Sequence, residues 1–201
     1  VRGTIPEDAG PVPAGTPYSA LDPPLMLWTV AVMADSAQCF FELLVRRLSD
    51  SEREDFWQDY LRFGELFGLP REACPQTYEA FRAYYRGRLA SDEMFLTDEA
   101  RYIGHATAFE IPMPGIQQPG KRVHDLLMLG SLPRRVRDLY GLSFTPRQQL
   151  AFAAAVKTIR TARRLTPAPL ARGGNTRSFD GVARTERRRI ERGAPTPQVR
   201  G

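Results

Sequence analysis

The stretch DPPLMLWTVAVMADSAQCFFELLVRRL, residues 22–48, decides the fold. Asp22 can accept hydrogen bonds from the free N–H groups of a first helical turn. Pro23 and Pro24 suit that turn, because its N–H groups have no intrahelical acceptor to lose. Leu27, Val30, Met33 and Ala34 then fall on one side of a 3.6-residue repeat, and Ala31, Phe40 and Leu44 widen the apolar arc. The pattern predicts a long helix over 25–48, central to the domain and buried on several sides.

Working outward, Ser49 and Glu52 have the three-residue spacing of a capping box. They open a second helix running to about Gly68, on which Phe56, Tyr60, Phe63 and Phe67 recur at helical spacing and read as core. Gly68-Leu69-Pro70 stops it. A third helix begins near Pro75 and Thr77, carries Tyr78, Phe81, Tyr84 and Tyr85, and breaks at Ser91-Asp92. A fourth covers about 97–109. Pro112, Pro114, Gly115, Pro119 and Gly120 then predict a loop. A fifth helix follows over about 121–129, a sixth from Pro133 to Tyr140-Gly141, and a last one over about 146–164. Residues 1–20 read as a loop rich in Gly, Pro and Thr. No alternating strand pattern and no internal repeat is evident. The expected organisation is one all-α domain over 21–170 and a basic tail over 171–201. From Gly173 onward there is little to build a core with, which predicts disorder.

Composition agrees with that class. The chain has 201 residues, 42% hydrophobic and 25% charged, so it can bury one sizeable core without a metal or disulfide framework. Charge divides unevenly: from Lys157 onward there are twelve basic and three acidic residues, while the rest carries 16 basic and 20 acidic. The tail could touch an anionic surface, but it has no interleaved aromatics and no folded reader. Nucleic acid is therefore not an expected partner. No run approaches the roughly 18–20 uncharged apolar residues that span a bilayer. Cys39 and Cys74 have no metal-type spacing and predict buried thiols in a reduced, cytoplasmic compartment, with one disulfide as the alternative. The first residue is Val and no leader is visible, so the chain is expected to be a fragment or a processed form.

Most catalytic templates are absent: there is no phosphate-binding glycine loop, HExxH, CxxC or GxSxG. The carboxylates Glu52, Glu54, Asp55, Asp59 and Glu65 lack the histidines of a di-iron bundle and read as a solvated face. Two histidines remain. His105 sits beside Gly104, Ala106 and Ala108, a small helix surface that could approach a flat ligand. His124 is followed by Asp125. Each is either an ordinary helix histidine or a ligand and pocket residue.

Several pieces occur in a definite order: Val1-Arg2-Gly3-Thr4, Tyr18-Ser19-Ala20-Leu21-Asp22-Pro23, Leu27-Trp28 and Asp35-Ser36. Gly64-x-x-x-Gly68-x-Pro70 follows, with Pro75-x-Thr77-Tyr78-x-x-Phe81-x-x-Tyr84. Then come Leu132-Pro133-x-x-Val136-Arg137-x-x-Tyr140-Gly141 and Pro167-Ala168-Pro169-Leu170. Over residues 1–170 this set resembles the bacterial family of rubber oxygenases (latex-clearing proteins) and MpaB-type proteins. The resemblance implies a globin-related all-α fold, haem b between helices, and O₂-dependent oxidation of an apolar small molecule. In the rubber enzymes that oxidation cleaves carbon–carbon double bonds. It also implies Trp28 and Arg137 near the cofactor, a surface or cap interaction being the alternative for Arg137; His105 and His124, read from the residues alone, are the further candidates for holding it. The chain departs from the family in two places. The family's His-x-x-Val-Arg-Gly histidine precedes residue 1, so the axial ligand is expected upstream of Val1. The histidine of its Trp-Val-His is replaced here, in Trp28-Thr29-Val30, by Val30. The resemblance thus leaves two expectations: an oxygenase fragment lacking its axial-ligand segment, or a diverged member that keeps the fold and binds an apolar ligand or partner without catalysis.

Overall fold

In the computed structural model, residues 2–112, 114–167 and 174–193 are described. Val1 and the Ala168-Pro169-Leu170 end of the family-like set lie outside them. The chain divides into two compact units, Val1–Thr158 and Ile159–Gly201. The described residues are 69% helical, with eight α-helices and one two-stranded sheet. This is the all-α class that the periodicity predicts.

The sheet is the part without a sequence signal. β1 (Arg2–Thr4) pairs antiparallel with β2 (Pro17–Ser19), Gly3 opposite Tyr18. Strands of three residues are too short to show alternation. The side chain of Tyr18 lies over Gly3, where a Cβ would come within 2.9 Å of its ring.

α1 (Pro23–Leu44) starts where the two prolines place it and ends four residues before the predicted limit. Residues 45–48 turn the chain into α2 (Asp50–Leu66), and the N–H of Leu48 donates to Glu42 at 3.2 Å. Both capping-box bonds are present at Ser49: its hydroxyl accepts from the N–H of Glu52 at 3.2 Å, and its own N–H donates to the Glu52 carboxylate at 2.9 Å. α2 stops at Gly68, which takes φ 89°, a conformation open to glycine but strained for other residues. α3 (Tyr78–Ala90) is capped by Thr77, and α4 (Asp98–Phe109) by Thr97. α5 (Gln118–Ser131) begins earlier than predicted, because Pro119 and Gly120 sit in its first turn rather than in the preceding loop. α6 (Arg134–Tyr140) ends on Gly141 at φ 66°. α7 spans Pro146–Leu165. In the second unit, α8 (Gly174–Glu191) stands where composition predicted disorder. Phe179, Val182 and Ile190 on it are exposed, so local propensity and pairs such as Arg189–Glu186 account for the helix, not a core.

The core belongs to α1, α2 and α3. Trp57, Phe81 and Leu61 are fully buried among Leu27, Ala31, Ala34 and Leu69. Trp57 stacks on Phe81 with centroids 4.2 Å apart and donates from Nε1 to the carbonyl of Pro75 at 2.8 Å. The acidic residues of α2 are not merely solvated. Glu54 accepts the N–H of Tyr78 at 2.8 Å, which anchors the positive end of α3. Gln38, buried on α1, reaches the hydroxyl of Tyr78 at 2.7 Å. Among the described helices, α1 alone is long and apolar enough to pass for a membrane span. Its Asp35 is ion-paired to Arg82 of α3, and it forms the centre of the core.

Candidate functional site

α1 has three working faces. Leu27, Ala31, Ala34 and Gln38 face the core. A second face opens on an apolar groove of about 440 Å³, lined by Leu25, Met26, Thr29, Val30 and Met33 of α1, Phe63 and Gly64 of α2, and Ala20, Leu21 and Phe67 from the flanking segments. A third face, with Trp28, Val32, Asp35 and Cys39, borders a separate cavity toward α3, α5 and α6.

The groove is the place the sequence marks. Val30, at the position of the family-like histidine, forms part of its wall and is 6% exposed. Its Cγ2 would lie 3.5 Å from a Cβ added to Gly64, and Leu69 is nearer still at 2.9 Å. A glycine is what allows α2 to close against Val30 and Leu69. The groove's mouth is apolar too: Leu25 is 48% exposed, Met33 43% and Phe67 61%. Its one polar side chain, Thr29, already donates to the carbonyl of Leu25 at 3.0 Å. Phe63 and Phe67 were expected in the core; only Phe56 and Tyr60 of that series pack against it. Gly64, interrupting the aromatic repeat, is the signal that separates the two sets.

The four candidate cofactor residues do not converge. Trp28 turns away from the groove, stacks on Tyr85 at 5.6 Å and lies under the guanidinium of Arg88 at 5.8 Å. Arg137 donates to the carbonyls of Leu132 at 2.5 Å and Leu129 at 3.4 Å, closing the C-terminal end of α5, and covers the Phe144 ring at 5.1 Å. His105 borders a shallow depression of about 570 Å³ with Arg122 and Gln148, and its Nδ1 lies 3.2 Å from Glu110. The small surface beside it is occupied: a Cβ at Gly104 would meet the ring of Tyr140 at 2.9 Å. The Nδ1 of His124 lies 3.2 Å from Asp125. Burial raises the pKa of Asp125, but Lys121, whose ammonium is 2.6 Å from the carboxylate, and His124 bring it below the ordinary value.

Haem needs two apolar faces and an iron ligand. The groove supplies apolar wall, but no imidazole, thiolate or phenolate, and no cation for the propionates. Met26 and Met33 are its only soft atoms, and a thioether is a weak, neutral ligand that cytochromes c use beside a histidine. Among the described residues no group of three or more His, Cys, Asp or Glu forms a metal site. The residues of this wall therefore fit an apolar molecule and do not fit haem iron.

No curated protein and no solved structure matches the chain. A family model does. Described as "ER-bound oxygenase mpaB/B'/Rubber oxygenase, catalytic domain", it matches residues 1–161, which takes in every helix of the core and both faces of the groove. With that match over most of its length, the chain belongs to the MpaB/rubber-oxygenase catalytic-domain family.

Proposed function

We propose that this domain takes an apolar small molecule, an unsaturated hydrocarbon, into the α1–α2 groove and serves its O₂-dependent oxidation. The observation that supports this reading is the groove's lining, which offers hydrophobic surface, no charge and a single polar side chain, Thr29, whose hydroxyl proton is already donated to the carbonyl of Leu25. Such a wall selects by size and hydrophobicity. Each apolar side chain that an occupant fully covers contributes about 1.5–3 kcal/mol. Met26 and Met33 adapt to the shape of the occupant, Phe63 and Phe67 form its rim, and Val30 keeps water from the floor. Haem b is the redox group the resemblance implies, and its chemistry would be the activation of O₂. The groove's donor set does not suit it, so the reading rests on apolar binding.

A second reading follows from Val30: a domain that keeps the family fold and binds an apolar ligand without oxidising it. One preparation distinguishes them. Protein expressed with ample haem supply is scanned in the ultraviolet–visible range, loaded with Nile red and titrated with a short isoprenoid hydrocarbon. Displacement of the dye together with a Soret band and stoichiometric iron supports the oxygenase. Displacement without the band supports the second reading. A hydrocarbon that displaces nothing overturns the proposed groove.

A further inference from the structure

The cavity on the far side of α1 has no part in the groove just described. It holds about 310 Å³ and is walled by α1, α3, the 94–96 segment, α5 and α6. Val32, Leu89, Met94, Met128, Val136 and Leu139 make most of its surface apolar. Native interiors leave few voids larger than one water, so a space of this size bounded by four helices is a candidate container rather than a packing defect.

Its polar end is asymmetric. The Asp35 carboxylate lines the cavity, with its side chain 16% exposed, while its partner Arg82 does not line it. The Arg82 guanidinium lies instead over the rings of Phe81 and Tyr85, 5.7 and 5.5 Å from their centroids. The cavity thus faces a hydrogen-bond acceptor carrying negative charge, with the balancing cation behind it. No other residue of the lining carries a charge. Ser131 donates to its own helix, to the carbonyl of Met128 at 2.9 Å. Burial and then the neighbouring Asp35 raise the pKa of the Cys39 thiol and of the Tyr85 hydroxyl, and the Tyr85 hydroxyl already donates to Asp35, so the carboxylate offers the cavity its remaining lone pairs. A molecule with an apolar body and a single hydroxyl donor satisfies this arrangement. The matching carboxylic acid brings a second negative charge against Asp35.

We propose that this cavity is a second binding site, distinct from the α1–α2 groove, for a small apolar alcohol whose hydroxyl donates to Asp35. Cys39 lines the cavity and Cys74 does not, since Cys74 is buried at the core and donates to the carbonyl of Pro70 at 3.4 Å. Alkylation of Cys39 therefore reports occupancy. The full chain is treated with N-ethylmaleimide in the presence of 1-octanol or of octanoate, and labelling at each cysteine is followed by peptide mass spectrometry. At an octanol concentration ten times its dissociation constant, Cys39 labelling is expected to slow about tenfold, with octanoate much less protective. Val136→Phe, which fills the cavity from α6, is expected to abolish the octanol effect while the helical circular dichroism is retained. Should that variant fail to fold, the comparison of the two ligands on the parent protein still decides. No protection by octanol, or equal protection by octanoate, overturns the proposal.

Discussion

Val30 carries more of the functional question than any other side chain. It is nearly buried, it forms part of an apolar wall, and it stands where the family resemblance leads one to expect imidazole. Val30→His tests whether that wall is the haem-facing one. The variant is expected to be less stable by about 1–3 kcal/mol, since a larger, polar ring must fit against Gly64 and Leu69. It is also expected to show a saturable Soret absorption on haem titration that exceeds the parent's at equal concentration. A folded variant with no gain over the parent counts against haem at this face. The position of the substitution was legible in the sequence, because Trp28-Thr29-Val30 can be compared with a motif. Its surroundings were not. Nothing local to Trp28 says that it faces a different cavity, because its partners Tyr85 and Arg88 lie far along the chain, whereas the carbonyls that Arg137 closes on are only five and eight residues before it.

Elements were read best where a cap or a stop is written in a few adjacent residues. The box at Ser49 is such a case, and it makes a pH prediction. Arg46, which donates to Glu52 at 2.6 and 2.7 Å, and then the N–H of Ser49 bring the Glu52 carboxyl down to about 2. The folded state therefore binds fewer protons than the unfolded chain as pH falls from the ordinary glutamate range toward about 2. Stability from this group is present above that window and is lost within it. Glu52→Gln should flatten the melting temperature between pH 5 and 2 relative to the parent (both values on the order of the two pKa limits), with little change near pH 7 beyond the missing ion pair, whose partners are both exposed. A steeper profile in the variant would contradict the assignment. α4 shows what adjacency cannot reveal. Its small surface around Gly104 suggested room for a flat ligand, yet it receives Tyr140 from α6. Gly104→Ala should lower stability by about 1–3 kcal/mol, read from denaturant midpoints, because the Tyr140 side chain must move to admit the methyl group. If the surface were free, the same change would stabilise the helix by up to about 1 kcal/mol.

At the scale of the whole first unit, burial is lopsided. Among the described residues, the largest fully buried side chains belong to α2 and α3, and α4, α6 and α7 bury none. Periodicity predicted these helices equally well, since a 3.6-residue pattern marks an apolar side without saying how completely it will be covered. The consequence concerns ligand linkage. The groove is built by α1 and α2, the same helices that form the core, so its occupant is bound only while the most stable part of the molecule is folded. A ligand at 100 times its dissociation constant then adds about 2.7 kcal/mol to unfolding. For a chain of this size that corresponds to a rise of about 5–10 °C in melting temperature. Phe67→Ser replaces a rim residue that is already 61% exposed, and should leave the unliganded melting temperature nearly unchanged while reducing the shift. Differential scanning calorimetry with and without the isoprenoid hydrocarbon measures both. A full shift in the Phe67→Ser variant would place the hydrocarbon elsewhere than between α1 and α2.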